Sequence, residues 1–333
     1  MTDDKYKNKR IIAVTGVPRS GTSAITRGLK VLGVNLGKSL EPADFGNEKG
    51  YFEDSDINNL NYGFLKLLFE RPDYAILVDL KKIPQQVVDA FKVSAKAFIE
   101  KRLGEYDIFG FKDPFMSKIL PIWKNIFAEL GVNTSYVIPC RNPLSVARSI
   151  NKKGNIDYII AYYIWFSSML ATVIYLAGEK VVFVDYDDML KDPKKQLQRI
   201  SEYLSLEFDP NGPEFSEFSG SFLEESLRHG RFSMEDLESN TEVPPKIVEF
   251  YKLLRKLCLD ELKITDIEVI TKIKKFVSWM SELRSTIFYM ESTMEAMAKL
   301  NNMLIEKNAK IDELNKLLQN TTRKIKYAVN KQS

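Results

Sequence analysis

The residues best suited to chemistry in this chain of 333 residues fall in two short runs. One is Gly16-Val17-Pro18-Arg19-Ser20-Gly21-Thr22-Ser23; the other is Cys140-Arg141-Asn142-Pro143, with Ser149 further along. The first carries the Gly-x-x-x-x-Gly spacing of a phosphate loop, between the apolar run Ile11–Val14 and a helical pattern that runs from Thr22 to about Leu32. The first N–H groups of a helix have no intrahelical partner, so a strand, a glycine-bearing turn and a helix start together build an anion site. The usual Gly-Lys-Ser/Thr ending is altered: Thr22 stands in the lysine's place, and the basic side chain, Arg19, lies inside the loop. A phosphate-like guest is expected, and ordinary ATP or GTP chemistry is disfavoured.

The elements that must position these residues alternate. Apolar runs at Ile11–Val14, Ile108–Phe111, Ser135–Ile138 and Val181–Val184 read as buried strands. A further short strand is expected at Tyr74–Val78. Helical patterns cover Ile57–Leu68, Gln85–Leu103, Pro121–Leu130, Leu144–Ile150, Pro193–Leu204 and Val243–Leu257, while Phe215–Ser239 reads as irregular. Strands alternating with helices predict an α/β fold, a P-loop-type parallel sheet flanked by helices. In such sheets ligands bind beyond the carboxyl ends of the strands. Arg19, Lys112-Asp113 and Arg141 each follow an expected strand closely, which points to one shared site. The acidic stretch Ser39–Asp56 lies directly downstream of the glycine loop and holds Glu41 and Glu53; it is either solvated surface or the source of a carboxylate for the site.

Composition bounds the rest. The chain is 44% hydrophobic and 28% charged, as a globular protein with a sizeable core should be, and its formal charge of +3 is too small for a general nucleic-acid binder. The two cysteines, Cys140 and Cys258, and the one histidine, His229, offer no metal spacing and no disulfide framework, which suits a cytoplasmic setting. The polar N-terminus lacks the apolar stretch of a signal peptide. Tyr158–Gly178 carries no charged residue and is long enough to span a bilayer, but its tyrosines and hydroxyl residues, and the strand that comes at once after it, make it a buried helix.

The pattern changes after about Lys263, which separates a domain at 1–263 from a helix at 264–333. With Ile273 as an a position, the d series Phe276, Leu283, Met290, Met297, Leu304, Ile311, Leu318 and Ile325 is apolar throughout, the signature of a long coiled coil, with a long helix folded back on the globular domain as the alternative. The a positions Asn301, Asn308 and Asn315 favour an in-register parallel homodimer, because a buried asparagine needs its equivalent on a partner. The basic tail, with Arg323, Lys324, Lys326 and Lys331, suits either a solvated end or peripheral contact with an anionic membrane face.

With both phosphate motifs in view, the chain resembles the sulfotransferases that use 3′-phosphoadenosine 5′-phosphosulfate (PAPS), and among them the bacterial sulfotransferase-family proteins. Those also carry a Gly-Tyr-Phe-Glu stretch, here Gly50–Glu53, and a Lys-Asp-Pro stretch, here Lys112–Pro114. The resemblance covers about Arg10 to Leu204 and leaves out the coiled coil. It implies that Arg19, Ser20, Gly21, Thr22 and Ser23 hold the 5′-phosphosulfate, with Arg19 neutralising charge on the bridging oxygen as the S–O bond breaks. It implies that Arg141 and Ser149 bind the 3′-phosphate, and loosely that Arg228 and Arg231, with His229, close over the nucleotide. No metal is implied. The acceptor is expected to be a hydroxyl on a glycan or glycolipid, a carbohydrate or lipid-linked partner. A base must take that hydroxyl's proton: Glu53 by the Gly-Tyr-Phe-Glu motif, Glu41 by its distance past the loop, and Asp113 are the candidates. Phe115 stands where related sequences often have arginine, so that position's role does not carry over. A P-loop kinase-like phosphotransferase and an inactive coiled-coil scaffold that still binds nucleotide are the competing readings.

Overall fold

The computed structural model of the protein describes residues 4–42, 50–68, 74–223 and 232–330. Four strands, β1 (Arg10–Val14), β2 (Ile108–Lys112), β3 (Asn133–Cys140) and β4 (Val181–Asp185), form one sheet in the order β2-β1-β3-β4. All neighbours run parallel; Ile12 lies beside Gly110 on one side and Ser135 on the other. Ile11, Ile12, Ala13 and Val14 are fully buried, which is why β1 reads as a continuous apolar run and not as an alternating one.

The helices are α1 (Thr22–Val31), α2 (Ser55–Leu68), α3 (Gln85–Glu105), α4 (Leu120–Leu130), α5 (Pro143–Gly154), α6 (Tyr158–Tyr175), α7 (Tyr186–Lys191), α8 (Pro193–Leu204), α9 (Pro213–Glu217), α10 (Met234–Ser239), α11 (Pro245–Cys258) and α12 (Ile267–Asn330). One face of the sheet, with Ile12, Val14, Val137, Val182 and Val184, packs against Ile25 and Leu29 of α1 and Leu197, Ile200 and Leu204 of α8. At the β2 edge, Phe111 meets Trp123 and Phe127 of α4, with ring centroids 5.8 and 6.4 Å away. The uncharged segment is indeed the core helix α6: Trp165 and Phe166 are fully buried, and Phe166 stands edge-on to Phe250 of α11 at 5.1 Å.

Two expectations are corrected. Tyr74–Val78 is not a strand; Tyr74, Ala75, Ile76 and Val78 are buried as a loop, and the Lys118 ammonium donates to the Tyr74 carbonyl. Burial explains its apolar character, and the Tyr74 carbonyl is taken by a lysine side chain in place of a neighbouring strand. Within Phe215–Ser239, expected to be irregular, the described residues hold α9, a π-helical turn at Phe218–Phe222 and α10. A capping box starts α10: Ser233 and Asp236 satisfy each other's backbone N–H groups.

Two compact units divide the chain at Arg284 and Ser285, beyond the expected boundary at Lys263. Within the first unit, Val269, Ile273, Phe276 and Met280 of α12 are buried, and the Phe276 ring lies 5.1 Å from that of Phe250. The opening heptad positions Ile273, Phe276 and Met280 therefore belong to the core of the first unit. The second unit, Ser285–Ser333, is described as helix to Asn330.

Candidate active site

The sheet order places β1 between β2 and β3, so the chain leaves β1 toward one neighbour and later returns on its other side. The crevice beyond the carboxyl ends of β1 and β3 is where an open parallel sheet of this kind admits a ligand. Both phosphate motifs open into it. β1 ends at Val14, the turn runs through Arg19 and Gly21, and α1 starts at Thr22. Arg19 and Gly21 both take positive φ, 71° and 92°. Gly21 is the N-cap of α1, with no side chain to cap its N–H groups. A Cβ there would come within 2.0 Å of the Tyr186 ring, so only glycine lets the loop close against that ring. The Ser20 hydroxyl donates to the Val17 carbonyl at 2.8 Å and braces the turn from within.

Arg141 comes directly after the end of β3. Its Nη1 donates to the Arg19 carbonyl at 3.3 Å, and its guanidinium stacks 4.6 Å above the Tyr186 ring. Its own carbonyl accepts from the Trp165 indole at 3.2 Å, which fixes the backbone from α6. Arg141 is 9% exposed, and its Nε is buried with no hydrogen-bond partner. A buried donor without a partner costs roughly 1–3 kcal/mol, so this position suits an anion that supplies the missing acceptor. Asn142 caps α5 by accepting from the Leu144 N–H at 2.9 Å, and Pro143 fills the first turn. Nearly two turns on, Ser149 accepts from Arg19 Nε at 2.9 Å. The loop arginine, the strand-end arginine and the helix serine are therefore assembled in one place.

The Gly-Tyr-Phe-Glu stretch forms the facing wall. Ser23 donates its hydroxyl to the Tyr51 carbonyl at 3.3 Å and accepts from Lys112 Nζ at 3.3 Å. Lys112, the last residue of β2, makes a 2.6 Å ion pair with Glu53 Oε1, while Asn58 donates to Oε2 at 2.9 Å. A lysine from the neighbouring strand thus stands beside the loop, whose own sequence has none. Lys112 is buried, and desolvation pulls its pKa down while Glu53 holds it up. The Tyr51 hydroxyl accepts from Lys153 of α5 at 3.1 Å.

The start of α2 anchors the backbone next to Glu53. Asp54 accepts from the Asp56 and Ile57 N–H groups there, and its carboxylate takes Arg102 Nε at 2.7 Å. The same guanidinium reaches Asp56 at 2.8 Å, so one buried arginine ties the start of α2 to α3. The Glu41 N–H donates to the Glu53 carbonyl at 2.8 Å, which sets the two candidate segments side by side. Of the two side chains, Glu53 is the one the fold brings to Lys112.

Asp113, the third candidate, has another task. Its Oδ1 accepts from the N–H groups of Phe115 and Met116, and Oδ2 accepts from Asn61 Nδ2 at 2.6 Å. Trp123 donates to Asn61 Oδ1 at 2.9 Å, which fixes the amide's orientation. Asp113 is fully buried, and its pKa rises to about 7 through burial first and the nearby Glu53 second. It caps the turn after β2, with both carboxyl oxygens engaged by the protein. Arg228, His229 and Arg231 lie outside the described residues; the next residues in the chain, Phe232 and Ser233, accept from Asn142 Nδ2 through their carbonyls at 3.1 and 2.9 Å.

Sequence reasoning noted Lys112 as a strand-end cation but gave it no task, and it passed over Tyr51, Lys153 and Tyr186. Position at a strand's carboxyl end was the available signal for Lys112. Tyr186, the first residue after β4, carries the same signal.

No family model and no curated protein sequence matches the chain. Among solved structures it is similar to the sulfotransferase domain of the Synechococcus PCC 7002 olefin synthase, at 16% identity and a TM-score of 0.41, over 83% of this chain and 98% of that one. It is also similar to a sulfotransferase domain from the curacin biosynthetic pathway, at 16% identity and a TM-score of 0.39, over 82% and 97% of the two chains.

Proposed function

We propose that the chain is a PAPS-dependent sulfotransferase that moves a sulfuryl group to a hydroxyl on a carbohydrate or lipid-linked acceptor. The observation that carries this reading is the meeting of the two anion motifs: Arg19 Nε bonds Ser149 Oγ at 2.9 Å, and Arg141 Nη1 bonds the Arg19 carbonyl at 3.3 Å. A donor with phosphate groups at both its 5′ and 3′ positions needs two such grips. The buried, unpartnered Nε of Arg141 fits an anion there, and arginine suits a bidentate hold on phosphate.

The donor supplies an activated sulfuryl group on a phosphate leaving group. The chain's own residues do the rest. The loop N–H groups and the start of α1 bind anionic oxygens. Arg19 and Lys112 present fixed positive charge at the loop, where preorganised charge is worth more than in water. Glu53, beside Lys112, takes the proton of the attacking hydroxyl, a role that requires reach before it requires a matched pKa. The kinase reading needs a lysine in the loop's own register; Thr22 holds that place and is buried.

The test is transfer from radiolabelled PAPS to a panel of glycan and glycolipid acceptors, with wild type and Arg19→Ala. Wild type should label an acceptor and Arg19→Ala should lose roughly a hundred- to a thousandfold in kcat, the usual loss for one preorganised donor. Donor binding without labelling of any acceptor favours the inactive scaffold; transfer from magnesium ATP in place of PAPS favours the kinase.

A further inference from the structure

The second unit carries an apolar face that the proposed chemistry does not use. Met297, Leu300, Leu304, Ile311, Leu314 and Leu318 of α12 are 53–67% exposed. Their spacings alternate between three and four residues, interrupted only at Lys307, so they line one stripe of the helix. Asn301, Asn308 and Asn315 each come one residue after a stripe position and stand about 100° around the helix from it. They lie on the stripe's flank. The heptad seam expected from the a and d positions would place three asparagine layers at its centre; the d and g positions, with Leu300 and Leu314 at g, place leucine there.

We infer that a second copy of this chain docks along the stripe Met297–Leu318, with the asparagines at the wet edge of the seam. Three observations favour a second copy as the occupant. The stripe repeats every seven residues, so two parallel copies in register match layer to layer, as in a coiled coil. Six side chains more than half exposed, with Met303 and Leu317 beside them, cover roughly 600–700 Å² per chain, close to the ~800 Å² per partner of a stable interface. The flank residues that would face one another across a parallel seam, Lys310 and Asn315, carry no like charges. Lys307 is the one charged layer, and its stem can lie along the seam while the ammonium reaches water.

Sedimentation equilibrium of the full chain tests this with three variants. Wild type should be a dimer. Leu300→Gln with Leu314→Gln should raise the dimer Kd at least a hundredfold, whereas Asn301→Gln, Asn308→Gln and Asn315→Gln together should shift it less than about fivefold. Lys307→Leu should tighten the dimer tenfold or more, because it fills the one polar layer with an apolar side chain. That gain does not depend on a destabilised helix. A monomeric wild type, a leucine variant that stays dimeric, or an asparagine variant that dissociates like the leucine one overturns the inference.

Discussion

Arg19, Arg141, Lys112 and Glu53 come from four separate stretches, and the one carboxylate among them, Glu53, sits 2.6 Å from Lys112. That pairing is the ground for proposing Glu53 over Glu41 as the base. Glu53 has Lys112 on one oxygen and Asn58 on the other, and it faces Ser23 of the loop through that lysine. Glu41 reaches the same region through its backbone. Glu53→Gln should therefore lower kcat by about a hundredfold or more with donor affinity retained, and Glu41→Gln should leave kcat within a few-fold of wild type. Steady-state kinetics with donor binding measured alongside checks both. If Glu41→Gln carries the loss, the base has been assigned to the wrong segment.

At the scale of elements, the site residues cluster at the carboxyl ends of strands and the starts of helices, with Ser149, inside α5, as the exception. Asp113 shows what such a junction costs. It caps the turn after β2, fully buried, with its pKa raised to about 7. A carboxyl whose folded-state pKa is raised binds more protons folded than unfolded. Its contribution to stability is complete below its unfolded pKa near 4 and is lost as pH rises toward 7, with a slope of up to about 1.4 kcal/mol per pH unit. Asp113→Asn should remove that component: the drop in unfolding free energy between pH 5 and pH 7 should shrink by about 2 kcal/mol in urea titrations. An equal drop in both proteins would show that the carboxyl is not held protonated.

The same junctions show what the sequence made legible. Strands buried on both faces read as apolar runs, so the four sheet strands and the loop between β1 and α1 could be placed, and with them Arg19 and Arg141. Tyr74–Val78 looked the same because burial, not pairing, made it apolar. The approach of Lys112 to Ser23 and Glu53 joins residues far apart in the chain, and spacing along a chain carries no distance through space. The heptad beginning at Ile273 marked a helix with one apolar face and pointed to a second copy of the chain as its cover, although spacing along one helix carries no record of what it meets. For Ile273, Phe276 and Met280 the answer is the first unit's own core.

That answer sets an expectation for the molecule as a whole. A chain ended at Lys263 loses Val269, Ile273, Phe276 and Met280 and exposes Phe250 and Phe166, which Phe276 covers at 5.1 and 5.9 Å. Removing a buried phenylalanine alone costs about 3–5 kcal/mol, comparable with the whole stability of many domains. Residues 1–284 should fold, whereas 1–263 should be unstable or insoluble; thermal melts of the two fragments would show it, and equal melting temperatures would contradict it. The central claim concerns the donor site, where the two anion motifs converge on one crevice. Its most direct test is calorimetric titration of adenosine 3′,5′-bisphosphate into the full chain without divalent cations, for wild type and Arg141→Ala. Tight binding by wild type, weakened in Arg141→Ala by about 1.5–3 kcal/mol, is the predicted result. Equal affinity in the two proteins, or wild-type binding that appears only with magnesium, would contradict the account.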